Sequence, residues 1–132
     1  MAIDEQVRSI TLQPNSTAFS TRQYHMVIAS SSEDVFVVGS TVTLKVAVGV
    51  LQDAPTVALE GAEIAIAGSV SKMKVGSTTL VPGKNFKMGP LGVAVTTANA
   101  TAGDQIYGPW LSAGQTTDSI GFSLFQPLFA TT

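Results

Sequence analysis

The chain has 132 residues, no cysteine, a formal net charge of -2 and only 12% charged residues, about half the roughly 25% usual in soluble domains. That length suits one domain, and without cysteine neither a disulfide framework nor a thiolate metal site is available. Seven Lys and Arg against nine Asp and Glu make no basic stripe, which argues against a nucleic-acid partner unless folding gathers Lys72, Lys74, Lys84 and Lys87 onto one face.

So little charge leaves much of the surface neutral, a poor coat for a free monomer and a suitable one for a protein held against other protein. Residues 1–5 lack the basic start and apolar core of a signal peptide, and no apolar run approaches the roughly 20 residues of a membrane span. The expectation is a chain made and kept in the cytosol until something incorporates it, with no membrane partner. Sequons at Asn15 and Asn99 read as chance matches in a Thr-rich chain.

The first element in chain order is residues 1–20, where Ile3, Val7, Ile10 and Leu12 are spaced ahead of Pro14 and Asn15. This reads as an extended N-terminal arm able to add to the edge of a neighbouring sheet. Ordering about ten residues costs on the order of 10 to 20 kcal/mol in backbone entropy, more than four buried aliphatic side chains return at roughly 1.5 to 3 kcal/mol each. An arm of this kind is expected to be ordered only against a partner.

Residues 21–132 form the expected body. Period-two alternation is clearest over residues 41–50, where Val42, Leu44, Val46, Val48 and Val50 are placed on one face of a long strand. Similar alternation recurs at 63–67, 91–95 and 120–124, with weaker strand signals at 7–12, 24–29, 35–38 and 70–75. About eight short strands separated by Gly, Pro, Asp and Asn predict an all-β fold, a small antiparallel β-barrel or β-sandwich. The tail, residues 125–132, sets Phe125, Leu128 and Phe129 around Pro127. It is expected to fold back onto the domain, a contact with another subunit or an assembly partner being the alternative.

A search for chemistry returns little. His25, the only histidine, sits in a strand signal and reads as a hydrogen-bonded or partly exposed strand residue. No Gly-x-Ser-x-Gly elbow accompanies the serines. Asp53, Glu60 and Glu63 lack calcium-loop spacing, and Asp4-Glu5 and Glu33-Asp34 are sequence neighbours, which on strands point to opposite faces. The stretch from Gly76 to Asn85 imitates a phosphate loop but separates its glycines by six residues instead of four. Its end, Val81-Pro82-Gly83-Lys84, reads as a turn with Gly at positive φ. No catalytic, metal or cofactor-binding residue emerges, and no enzyme is expected. Tyr107 and Trp110 flank Gly108-Pro109, which either plugs the barrel or displays interface aromatics together with Phe129.

One run is more distinctive. Gly49-Val50-Leu51-Gln52-Asp53-Ala54-Pro55, followed by Gly61-Ala62-Glu63-Ile64-Ala65-Ile66-Ala67-Gly68, resembles the core of tailed-phage capsid decoration (cement) proteins. Ser71-Lys72-Met73-Lys74-Val75, the turn at Pro82-Gly83 and Gly92-Val93-Ala94-Val95 follow in similar order, so the likeness spans about residues 45–125. Asp53 stands where the family has Asn, and residues 56–60 lengthen the loop. Physically the run is a strand exit: Leu51 turns toward the core, Gln52 and Asp53 hydrogen-bond the turning backbone, and Pro55 stops further pairing.

The resemblance implies a virion protein on the capsid exterior, with the major capsid protein as its partner, assembled as a homotrimer. Under it, Ile3, Val7, Ile10 and Leu12 are the expected capsid contacts. The alternatives are another minor virion protein, such as a head-fibre base or tail component, and a small carbohydrate- or ligand-binding β-domain using Tyr107 and Trp110.

Overall fold

A computed structural model describes residues 8–14, 17–29, 35–38, 46–56, 60–76, 79–112 and 119–131. Their order is β1 (Ser9–Pro14), a 3-10 turn (Thr17–Thr21), β2 (Met26–Ala29), β3 (Val35–Val38), β4 (Gly49–Leu51), β5 (Ala62–Ile66), β6 (Ser69–Lys74) and β7 (Phe86–Met88). A second 3-10 turn (Pro90–Gly92) precedes β8 (Ala94–Thr96), β9 (Gln105–Tyr107), β10 (Ile120–Phe125) and β11 (Pro127–Ala130). The fold is all-β, and no helix among the described residues is long and apolar enough to cross a membrane.

Five strands pair in the order β1-β3-β2-β4-β5, and β5 returns to β1, so the ladder closes on itself. All of these pairs are antiparallel except β1 with β3, where Gln13 and Pro14 lie parallel to Val35 and Phe36. Against this ring pack a ribbon of β6 and β10 and a four-stranded sheet ordered β11-β9-β7-β8. Bridges from Val75 to Ala94 and from Trp110 to Ser123 connect them.

The arrangement separates two cores. Phe19, Val27, Leu51, Ala62 and Ile64, with Leu12 packed against them, fill the ring. Met26, Ile28, Val50 and Ala65, from the same strands, point the other way into a larger cluster with Met73, Val75, Leu80, Phe86, Tyr107, Trp110 and Phe125. Successive strand side chains face opposite ways, so β2, β4 and β5 are walls buried on both faces. That is why Met26-Val27-Ile28 is a continuous apolar run instead of an alternating one.

The expected arm is redrawn where it can be seen. Ser9 to Leu12 pair with Ala65 to Ala62 of β5, so the sheet edge that residues 9–14 extend belongs to their own chain. The entropy of ordering this segment is met by two intramolecular ladders, and the boundary drawn between 20 and 21 falls inside the 3-10 turn. Ile3 and Val7 lie outside the described residues.

The long strand expected over 41–50 is described only from Val46, and its parity differs from the reading. Val46 is half exposed and Ala47 is buried, and the Ala47 N–H donates to the Tyr107 hydroxyl at 2.7 Å inside the larger core. Over 91–95, Leu91 and Gly92 belong to the 3-10 turn and only Ala94 onward is strand. The Val81-Pro82-Gly83-Lys84 turn forms as read, with Gly83 at φ 81° and the Lys84 N–H directed at the Val81 carbonyl.

Candidate assembly surface

The strand exit supplies the first local test of the sequence reading. Gln52 Nε2 donates to the Val50 carbonyl and to Ser71 Oγ, each at 3.0 Å, and Asp53 Oδ2 accepts the Glu63 N–H at 2.8 Å. Leu51 is fully buried in the ring and Pro55 is buried beyond it. Leu51, Gln52 and Asp53 thus have the structural duties expected of them, and Asp53 is occupied by backbone.

His25 is also spoken for. It is buried, and its Nδ1–H donates to the Leu91 carbonyl at 2.6 Å; a carbonyl only accepts, so the proton sits on Nδ1. Burial holds its pKa below the ordinary value; the Leu91 contact opposes this, and the charges of Arg22 and Lys74 add to the lowering. Gly92 beside it has φ +78°, and a Cβ there would lie 2.2 Å from the Met26 carbonyl oxygen. This is a clasp between the 3-10 turn and the start of β2. Among the described residues no three His, Asp or Glu side chains gather as a metal site.

Tyr107 and Trp110 are not displayed. Both are fully buried, on either side of a cis Gly108–Pro109 bond. Phe86 stacks on Tyr107 at 5.9 Å and meets Trp110 edge-on at 5.8 Å, while Phe125 stacks on Tyr107 at 5.4 Å. The turn plugs the core, and the ligand-binding alternative loses the two aromatics on which it stood. Trp110 Nε1 is buried without a hydrogen-bond partner.

Phe129 is the expected interface aromatic that does reach solvent. The tail folds back as β11, antiparallel to β9, with a bulge at Leu128 between Pro127 and Phe129. Thr131 fastens its end: the Gly103 N–H donates to the Thr131 carbonyl and the Thr131 N–H to the Asp104 carbonyl. Asp104 in turn pairs with Lys87 at 2.9 Å. Beyond β11 no further strand pairs among the described residues, and this edge carries Leu128 at 44% and Phe129 at 55% exposure. Phe129 also walls a cavity of about 230 Å³ with Asn85, Thr97, Ala100, Ile106 and Thr131.

The ribbon supplies a second outward apolar surface. On β10 the buried residues are Gly121, Ser123 and Phe125, and Ile120, Phe122 and Leu124 face outward. Its partner β6 buries Ser69, Ser71 and Met73. That inner face sends its own Phe125 and Met73 into the cluster with Phe86, Tyr107 and Trp110, and its other four positions, Ser69, Ser71, Gly121 and Ser123, are small. The serines are satisfied there: Ser69 Oγ donates to the Arg8 carbonyl and accepts the Arg8 N–H, and Ser71 Oγ donates to the Lys72 carbonyl.

Of the expected contact residues, Ile10 is exposed at 39%, whereas Leu12 is half-buried against the ring interior. The four lysines named from sequence do not form one patch. Lys72 and Lys74 lie outward on β6, Lys87 is held by Asp104 on the other sheet, and Lys84 lies at the turn after Pro82. No protein-family model and no curated protein matches this chain.

Proposed function

We propose that this chain is a non-enzymatic structural protein of a tailed-phage virion, a decoration protein that binds the outside of the capsid and reinforces contacts between major capsid subunits. The observation that carries the assembly role is the β11 edge. An open strand edge bearing a large aliphatic and an aromatic side chain is an invitation to pair with another chain. In a chain with 12% charged residues, covering it by assembly is the economical solution. The capsid as partner comes from the likeness carried by Gly49 to Pro55 and the order of segments that follows it.

Purified protein is expected to bind expanded capsids of its own phage at fixed stoichiometry and to raise the temperature at which they release DNA. Absence of binding in a sedimentation assay sinks the capsid reading. Leu128→Asp with Phe129→Asp is expected to lower occupancy while the circular dichroism spectrum stays unchanged; full occupancy would remove β11 from the contact. A truncation that probes an N-terminal grip is confined to residues 1–7, because β1 belongs to the ring.

A further inference from the structure

The outer face of the ribbon has a chemistry different from that of the β11 edge. Cross-strand register sets Ile120 opposite Lys74, Phe122 opposite Lys72 and Leu124 opposite Val70, and directly opposed residues share a face. Ile120 is 47% exposed. The Leu111 N–H donates to the Phe122 carbonyl, which adds an exposed leucine on the flank of β10. On the flank of β6 the Lys74 N–H donates to the Tyr24 carbonyl, and Lys72 Nζ stands 5.6 Å from the centre of the Tyr24 ring. The result is an apolar strip, Phe122 with Ile120 and Leu124, with Lys72 and Lys74 directly across from two of its members.

Cations also gather at the ends of β6. Arg8 is bonded through its backbone to Ser69, and the Arg22 carbonyl accepts the His25 N–H two residues before Tyr24. Four of the seven Lys and Arg of a chain with net charge -2 therefore lie on or beside one strand. Among the described residues the one ion pair is Lys87 with Asp104, on the other sheet, so none of the four is neutralised by a described carboxylate.

We propose that the outer face of β6 and β10 docks onto a protein surface in which carboxylates surround exposed aliphatic side chains. This rests on the reading of the chain as an assembly protein and adds the chemistry of the partner. The apolar strip supplies buried area, and Lys72 and Lys74 supply orientation and rate of encounter, the usual division between apolar centre and charged rim.

The test uses the full chain, the variant Lys72→Glu with Lys74→Glu, and the milder Lys72→Gln with Lys74→Gln, each checked for an unchanged circular dichroism spectrum. A short synthetic peptide alternating Glu with Leu is titrated into labelled protein and amide shifts are followed by NMR. Shifts confined to residues 70–74, 111 and 119–125, weakened about tenfold or more by charge reversal and progressively by added salt, are the expected result. Shifts elsewhere, or equal affinity of the reversed variant, overturn the proposal. So does uptake by phosphatidylserine vesicles without peptide binding, or self-association through this face.

Co-sedimentation with capsids separates the two readings. If wild type and reversed variant pellet equally at every salt concentration, the docking face falls and the capsid role stands. If the peptide maps to the face but wild type does not pellet with capsids, the capsid role falls and the docking chemistry stands.

Discussion

The walls of the ring and the ribbon of β6 and β10 are built from similar residues and use them oppositely. In β2, β4 and β5 both faces are buried, so Met26, Val27 and Ile28 are all inside, in two different cores. In the ribbon one face is buried, that of Ser69, Ser71, Met73, Gly121, Ser123 and Phe125, four of them small, whereas Ile120, Phe122 and Leu124 point outward. Hydrophobicity alone does not say which side of a strand is inside; the volume available beneath it decides. Beneath the ribbon, Phe86, Tyr107 and Trp110 meet its own Phe125 and Met73, and the remaining inward positions are Gly or Ser, so Ile120, Phe122 and Leu124 are left on the outer face.

That contrast predicts its own largest difference. Leu51→Ala, in the ring interior, is expected to destabilise the fold by about 2 to 5 kcal/mol, the usual range for a cavity at a buried leucine. Ile120→Ala, on the outward face, is expected to change stability by roughly 0.5 kcal/mol or less. Urea unfolding of both variants checks this, and comparable losses would mean that the outward face is part of the fold's own packing.

The hydrogen bond from the Ala47 N–H to Tyr107 ties the chain entering the ring to the aromatic core, and it gives an intermediate effect. Tyr107→Phe keeps the ring stack and removes only the acceptor, leaving a buried N–H unpaired. A loss of about 1 to 3 kcal/mol is expected, measured as a shift in urea midpoint at unchanged slope. A loss within error would show that the amide finds another acceptor in the variant.

Much of this plan was legible because it depends on neighbours in sequence. The all-β class, the strand exit at Gln52 and Asp53, the turn at Gly83 and strand β3 all follow from local propensity and turn chemistry. The three-residue strands β7 and β9 were not legible, since so short a span carries no periodicity and their position is set by the sheet around them. The inward turn of Ala47 and the outward turn of Phe122 were not legible for one reason: alternation shows that two faces differ, and the occupants of the core come from distant residues such as Trp110. Tyr107 and Trp110 read more readily as buried than displayed, and the stacking of Phe86 and Phe125 on Tyr107, with Phe86 edge-on to Trp110, decides.

The smallest expected effect concerns the seam between the two regions, where His25 on the ring side is clasped by Leu91 on the other. Its folded pKa is lowered, chiefly by burial, so the unfolded chain takes up a proton first as pH falls. Above the unfolded value of 6.5 both states are neutral and the full stability is present. Below it stability declines until the folded pKa is reached, and then levels off. Because His25 is the only histidine, subtracting the profile of His25→Gln isolates its contribution between about pH 7.5 and 5. Wild type should lose stability relative to the variant on acidification. A flat difference would mean that the protonated ring keeps its bond to Leu91 at no penalty, and that the seam is more hydrated than the burial of His25 implies.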